Sequence, residues 1–448
     1  MSNISVIGAG YVGLATAACF AEMGHKITLL EIDSDKLAAL KNGIMPVNEP
    51  GLAEIWQRNA QEGRLSVTDH YVEGLLDAEF AFIAVGTPAA TNGKPDLKWV
   101  RLAAKNIAEA ASGPMIVVIK STVPVGTAEI VTRILAYNGR DGRNLPVISN
   151  PEFLREGVAI FDFMHPTRIV VGSSSPEAAE AVTKLYEPLD SPVVRCDNRT
   201  AEMSKYACNA FLATRVSFMN EIALLCDECG VDVARVAEIM GLDPRFGNGY
   251  LNAGLGWGGS CLPKDLKGLI HMAKGYRIPA RLLRAVQQIN QQQIYIIIRK
   301  LGWLLGSLEG KTIGILGLAF KPSSDDIREA RSLLIISLLE DRGCRIKAYD
   351  PNPKVMQKTA EHKLEVTYCA DAYEAAQDSD ALVLVTEWDE FKELDMPTLA
   401  AKMKQPIIID GRNLYDPDEM IQAGFLYEGI GRCSRRAQEA RIGIIQKI

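Results

Sequence analysis

Near its start the chain runs Asn3-Ile-Ser-Val-Ile-Gly8-Ala-Gly10-Tyr-Val-Gly13, and this stretch constrains the fold more than any other. The apolar run predicts a short buried strand, and the glycines predict a turn into a helix whose face carries Val12, Ala15, Cys19, Phe20 and Met23. Lys26–Leu30 predicts a second strand, and it ends on Glu31. A G-x-G-x-x-G pattern alone is weak. Between a strand and a helix, with an acid at the end of the next strand, it predicts a dinucleotide-binding βαβ unit. Pyrophosphate would sit on the amides at the helix N-terminus. Glu31 would accept hydrogen bonds from the adenosine ribose and repel a 2′-phosphate, which favours NAD over NADP. Asp33 is the alternative, but it lies past the expected strand end.

Strands and helices keep alternating. Phe80–Val85 reads as a buried strand ending in Gly86-Thr-Pro88, Leu97–Ala111 as a helix, and Met115–Lys120 as a strand ending in Ser121-Thr-Val-Pro-Val-Gly126. Pro146–Ser149 is a further strand, followed by Asn150-Pro-Glu-Phe-Leu-Arg-Glu-Gly157. Ligands of open α/β sheets bind beyond the carboxyl ends of strands, where Thr87 and Thr122 fall. Both also read as helix caps, which is compatible with touching a cofactor. Glu152 and Glu156 would share a face if their turn is helical, and a solvated helix start explains them as well as a site does.

From Thr200 the pattern turns helical, over Ala201–Gly230 and Ile278–Leu305. Lys205 and Asn209 lie four apart among apolar neighbours, although a surface lysine with its stem on apolar residues is the plainer reading. Between these helices Gly249, Gly254, Gly256, Gly258 and Gly259 crowd a loop that reaches Cys261, with Lys264 and Asp265 just beyond and Asp265 expected to open the next helix. So many glycines cannot make a stable helix or strand. An inert buried thiol is one reading of Cys261, and a nucleophile in a site that admits substrate is the other.

A second α/β unit begins at Lys311. Thr312–Leu316 reads as a strand into Gly317-Leu-Ala-Phe-Lys-Pro322, and a helix covers about Ala330–Arg342. Arg345–Tyr349 ends in Asp350, and strands follow near Leu364–Thr367, Ala381–Val385 and Ile407–Ile409. This is a nucleotide-binding pattern with a degenerate glycine turn. Lys321 and Arg412 stand after strands, where a nucleotide diphosphate would be held.

The 448 residues exceed one ordinary core, so two or three domains are expected. A net charge of -6 without a basic cluster argues against nucleic acid as the main partner. Nine cysteines without framework spacing point to a reducing cytosol. Cys226 and Cys229 sit in an apolar helical pattern and read as core, so no metal site is expected. No apolar run approaches the ~20 residues that span a bilayer. The N-terminus enters a strand at once, which argues against a signal peptide.

Together the motifs resemble the UDP-glucose/GDP-mannose dehydrogenase family over essentially the whole chain. In order they are Gly8-Ala-Gly-Tyr-Val-Gly13, Glu49-Pro-Gly-Leu52, Val85-Gly-Thr-Pro88, Lys120-Ser-Thr-Val-Pro-Val-Gly126, Asn150-Pro-Glu-Phe-Leu-Arg-Glu156, Gly258-Gly-Ser-Cys-Leu-Pro-Lys-Asp265, Gly317-Leu-Ala-Phe-Lys321 and Asp325-Asp-Ile-Arg-Glu329. The resemblance implies two Rossmann-like doubly wound domains joined by a helical one. These are an NAD-binding domain over 1–199, a helical dimerisation domain over 200–308 and a UDP-sugar-binding domain over 309–448, with the reaction in the cleft between the outer two. It implies a cytosolic enzyme that oxidises the C6 alcohol of UDP-glucose to UDP-glucuronate with two NAD per sugar, feeding surface polysaccharide or glycan synthesis.

Carried over residue by residue, Cys261 matches the family nucleophile, which forms a thiohemiacetal and then a thioester. Lys205 matches the lysine that steadies the oxyanion, Asp265 the aspartate that moves protons through water, and Thr122 the hydroxyl that holds that water. Glu156 matches the carboxylate that helps thioester hydrolysis, and Asn209 an active-site contact. Cofactor contacts fall on Gly8, Gly10, Val12, Gly13, Glu31, Lys36, Thr87, Thr122, Glu156 and Arg328. Substrate contacts fall on Glu152, Phe153, Leu154, Glu156, Lys205 and Asn209, then on Tyr250, Leu251, Gly254 and Gly258 of the sugar loop, and on Lys321 and Arg412. Arg245 matches an arginine that reaches into the neighbouring subunit's site of a homodimer or higher oligomer. Glu31 stands where aspartate is frequent, Trp257 where phenylalanine is frequent, and Asn92 where aspartate is frequent.

Three other readings stand beside this one. The chain could act on GDP-mannose, although Asp162-Phe-Met-His-Pro-Thr-Arg168 looks more like the UDP-glucose branch, or on a UDP-N-acetylhexosamine, whose match at Asn150–Glu156 is poorer. A nucleotide-sugar-binding protein on a dehydrogenase fold would need none of Cys261, Lys205 and Asp265. A simple two-electron alcohol dehydrogenase would have no use for Cys261.

Overall fold

The structure, a computed structural model, describes residues 1–139 and 145–432. By compactness the chain divides into two units, Met1–Cys208 with Lys267–Arg277, and Asn209–Leu266 with the chain from Ile278 onward.

In the first unit eight strands form one sheet among the described residues: β1 (Asn3–Ile7), β2 (Lys26–Leu30), β3 (Leu65–Thr68), β4 (Phe80–Ile83), β5 (Ile116–Ile119), β6 (Val147–Ser149), β7 (Ile169–Gly172) and β8 (Val193–Cys196). Their order is β3-β2-β1-β4-β5-β6-β7-β8, parallel except at β6–β7. The central strands read as continuous apolar runs because both faces of the sheet are covered. Val6, Phe82 and Val118 join one apolar cluster with Leu14 and Phe20 of the helix Tyr11–Glu22. Their neighbours Ile7, Ile83 and Ile119 join another with Val100 and Ile107 of the helix Lys98–Ala110. Strand order reverses at β1, which pairs with both β2 and β4, and this opens a crevice beyond the carboxyl ends. The hydrogen-bonded strands end at Ile83 and Ile119, so Thr87 and Thr122 stand past them.

In the second unit six parallel strands among the described residues run β11-β10-β9-β12-β13-β14: β9 (Thr312–Leu316), β10 (Arg345–Tyr349), β11 (Val366–Tyr368), β12 (Ala381–Leu384), β13 (Ile407–Asp410) and β14 (Leu426–Gly429). Ile313, Ile315 and Ile409 share one apolar cluster with Met219, Ala223, Ile297 and Leu301, which is why the chain from Asn209 and the helical stretch from Ile278 fall in this unit. The turn after β9 repeats the geometry after β1. Gly8 N donates to Leu30 O and Gly317 N to Tyr349 O, both at 2.8 Å. An acid ends the next strand each time: Glu31 accepts from Ala9 N at 2.8 Å, and Asp350 from Leu318 N at 2.7 Å.

Some local expectations are corrected. The helix after the glycine loop is Leu262–Gly275, so it begins directly after Cys261 and Asp265 lies in its first turn. Ile278–Leu305 is two helices, Arg281–Gln292 and Ile294–Leu305, parted at Gln293, whose Nε2 donates to Gly254 O at 2.7 Å. Residues around Glu152 are not helical, because the Glu152 carboxylate is turned back onto Leu154 N at 2.6 Å. Cys226 is buried as expected, but Cys229, in the last turn of its helix, is exposed.

Candidate active site

The glycine turn of the first unit is shaped for a dinucleotide. Gly8 has φ +105°, and a Cβ there would stand 2.8 Å from Ala84 O. A Cβ on Gly13 would strike Gly8 O, so only glycine lets the helix come this close. At Gly10 no protein atom lies within 4 Å of a Cβ position, which leaves that backbone open to a ligand. Val12 is half-buried in the first turn of the helix, whose amides face the glycine turn. Glu31 is buried, with Oε1 on Asp33 N at 2.9 Å. Asp33 instead caps the helix Ser34–Lys41 through Asp35 N and Lys36 N, and Lys36 is exposed on that helix. These features fit NAD: a ribose acceptor at the end of β2 and an unobstructed backbone at the turn. Thr87 donates to Thr122 O at 2.8 Å, which joins the loops after β4 and β5.

The loop after β6 carries a buried charge pair. Lys205 Nζ, on the helix Asn198–Cys229, lies 2.9 Å from Glu152 Oε1, and both side chains are almost fully buried. The lysine is therefore a fixed interior cation and not a surface one. Phe153 lies beneath the Arg168 guanidinium, at 3.8 Å from the ring centroid. Glu49 holds the loop's far end by accepting from Gly157 N at 2.7 Å and Ala159 N at 2.5 Å, and Tyr11 donates to Arg155 O. Glu156 is half-buried between these points. A cavity of about 320 Å³ is lined by Glu152, Phe153, Leu154, Arg168 and Lys120. Sequence reading gave Lys120 no role beyond its place in a motif. It is buried, donates to Asn150 Oδ1 at 3.0 Å and Tyr186 Oη at 3.1 Å, and burial pushes its ammonium down to about 8. A lysine at a strand end in an apolar run was the available signal.

In the second unit Cys261 is exposed, with Ser260 Oγ 3.5 Å from its sulfur. It stands just before the helix Leu262–Gly275, whose first-turn amides and dipole favour negative charge. Asp265 is buried between two donors, Lys264 Nζ at 2.5 Å and Asn209 Nδ2 at 2.6 Å. The loop over Tyr250–Gly254 is anchored too. Gly254 N donates to Asn220 Oδ1 at 2.8 Å, Leu251 is buried, and Tyr250 is exposed in the left-handed region at φ +63°. Arg412 donates to Val385 O at 2.7 Å and Gly256 O at 3.3 Å, and more weakly to Phe320 O, next to Lys321. The structure thus brings Gly254, Gly258, Lys321 and Arg412 to one neighbourhood of the second unit. Arg328 forms a forked pair with Asp326, with Nη2 to Oδ2 at 2.7 Å. Arg245 is mostly exposed and pairs with Asp243 at 2.6 Å.

Three family models match the chain: the NAD binding domain of the UDP-glucose/GDP-mannose dehydrogenase family over residues 2–190, its central domain over 199–292, and its UDP binding domain over 314–417. The UDP-glucose 6-dehydrogenase TuaD of Bacillus subtilis is 44% identical over 98% of this chain and 95% of its own. The chain belongs to the UDP-glucose/GDP-mannose dehydrogenase family. A second family member, the UDP-glucose 6-dehydrogenase of Pseudomonas aeruginosa, is 45% identical over 96% of this chain and 97% of its own. The solved UDP-glucose dehydrogenase of Pyrobaculum islandicum superposes with a TM-score of 0.90 at 37% identity, covering 96% of this chain and 98% of that one. The family's NAD binding domain spans Gly8 to Thr122, its central domain spans Cys261 and Asp265, and its UDP binding domain spans Lys321 and Arg412. No helix among the described residues is long and apolar enough to cross a membrane.

Proposed function

We propose that the protein oxidises UDP-glucose to UDP-glucuronate with NAD, in two stages that share one cysteine. The observation that carries this is Cys261, exposed directly before a helix N-terminus and followed by the buried Asp265 held by Lys264 and Asn209. A dehydrogenase that stops at an aldehyde has no use for such a thiol. When bound, NAD accepts the hydride at each stage.

The residue roles follow the family match. Asp265, through a water held by Thr122, takes the proton of the C6 hydroxyl as the alcohol becomes an aldehyde. An aldehyde cannot yield a hydride to a useful product until something adds to its carbonyl. The Cys261 thiolate adds there, and Lys205 steadies the oxyanion of the thiohemiacetal. Loss of the second hydride leaves a thioester on Cys261. Glu156 helps water attack it, which frees the carboxylate and returns the thiol. Lys321, Arg412 and the Tyr250–Gly258 loop hold the UDP-sugar, with Glu152, Phe153, Leu154 and Asn209 as further contacts. Glu31, Lys36, Val12, Thr87 and Arg328 hold NAD.

The same reading divides the chain into NAD-binding (1–199), helical dimerisation (200–308) and UDP-sugar-binding (309–448) parts. Phe211, Phe218 and Leu225, seven apart on the helix Asn198–Cys229, are all exposed, which supports a homodimer through that helix. Arg245 would then serve the neighbouring subunit's site, and the enzyme would work in the cytosol. Initial rates of NADH formation with UDP-glucose, GDP-mannose, UDP-N-acetylglucosamine and UDP-N-acetylmannosamine test the substrate. UDP-glucose should give the highest kcat/KM. Faster oxidation of another sugar would move the chain to that branch, and no oxidation of any would favour a binding protein.

A further inference from the structure

Arg331 is the least economical charge in the second unit. It is 5% exposed, and it opens the helix Arg331–Glu340, where the dipole disfavours a cation. Its Nε meets no hydrogen-bond partner among the described residues. Burial, reinforced by the charge of Arg412 and opposed by Glu329, pushes its guanidinium down to about 10, so it stays charged at neutral pH. An apolar side chain of similar volume would be easier to bury there. What the arginine does is donate through Nη2 to the carbonyl of Trp257.

That carbonyl belongs to the glycine loop before Cys261, and its neighbours are held from the same side. Gly256 O accepts from Arg412, Gly259 N donates to Arg328 O at 3.0 Å, and a Cβ on Gly258 would stand 2.3 Å from Glu329 O. From the other side Asn290 Oδ1 accepts from Trp257 N at 2.8 Å and its Nδ2 donates to Trp257 O at 3.0 Å. The Trp257 indole donates to Ser217 Oγ at 3.1 Å, so both ring and backbone of this residue are fixed. Two adjacent carbonyls of the loop thus rest on two adjacent guanidinia.

We propose that Arg331 is a positioning residue: with Arg412 it clamps the Gly256–Trp257 carbonyls, and so sets the backbone that grips the UDP-sugar and presents Cys261. The mention of UDP-sugar rests on the function proposed above. The side chain touches neither substrate nor cofactor in this account. It acts through the loop.

The test is Arg331→Met, which keeps volume and removes both charge and donor. UDP affinity is measured by calorimetry, and alkylation of Cys261 by iodoacetamide is followed on its own peptide with and without UDP. The melting temperature should hold or rise. The Kd for UDP should weaken at least tenfold, UDP should no longer protect Cys261, and NAD affinity should not change. Arg331→Lys should recover part of the UDP affinity. Should Arg331→Met fail to fold, Arg331→Lys, which keeps the charge and loses the forked donor to Trp257 O, stands in and should weaken UDP about threefold. An Arg331→Met enzyme with UDP affinity within twofold of the parent and normal protection would overturn the proposal, as would parental UDP affinity in Arg331→Lys if that variant has to stand in. If the parent itself does not bind UDP, the function proposed above fails instead. Arg331 is then judged by the unliganded alkylation rate of Cys261, which should shift at least threefold. An unchanged rate would reject the clamp.

Discussion

At the residue scale, two carboxylates and one thiol carry different burdens. Cys261→Ser should bind NAD and UDP-glucose normally yet lose acid formation by roughly 10³-fold or more, because a serine hydroxyl is a far weaker nucleophile toward the aldehyde. Near-parental acid formation, measured by product analysis, would remove the thioester from the account. Glu31→Ala should weaken NAD by roughly 10- to 100-fold and narrow the preference over NADP, since it deletes a buried acceptor already oriented by Ala9 N and Asp33 N. Unchanged NAD affinity would show that the ribose contact lies elsewhere. Asp33 is occupied as a helix cap. What the sequence could not show at this scale is burial. Lys205 reads equally well as a surface lysine until its partner Glu152, more than fifty positions earlier, is seen beside it in the interior. Arg331 has no local signal either, because the Trp257 carbonyl it reaches lies 74 positions earlier.

At the scale of elements, the acid Glu202 ties the helix Asn198–Cys229 to the loop after β5. It accepts from Gly126 N at 2.6 Å and Ala128 N at 2.8 Å, at the start of the helix Thr127–Asn138. Burial lifts its carboxyl to about 7, against the opposing pull of those two amides and with help from Glu129. The folded chain therefore holds this proton more tightly than the unfolded chain does. The contribution to stability is whole below the ordinary carboxylate range and is lost as pH rises through about 7. The loss should be about 3 kcal/mol between pH 4.5 and 7, which Glu202→Gln should abolish when the two proteins are compared by denaturant unfolding across that range. Equal slopes for the two would show that Glu202 does not titrate there. Element boundaries were legible where apolar runs are buried on both faces, as at β1, β4 and β9. They were not at β8, whose middle residues are exposed, or at Gln293, where two helices that share one periodicity meet with the backbone still in the α region.

At the scale of the whole molecule, the order of motifs was readable because phosphate-binding turns and strand ends need particular residues at particular places. The glycines at 8 and 13 stand where backbone geometry demands them, and the acid after β2 is buried at its strand end. The grouping of the central helices with the second sheet was not readable, because that depends on which apolar faces meet, and Ile297 and Leu301 carry no mark of their partner. The central claim is a double oxidation through one cysteine, and the yield of NADH tests it most directly. With UDP-glucose limiting and NAD in excess, two NADH should form per sugar, with UDP-glucuronate as the product. One NADH per sugar, with an aldehyde released, would contradict the account.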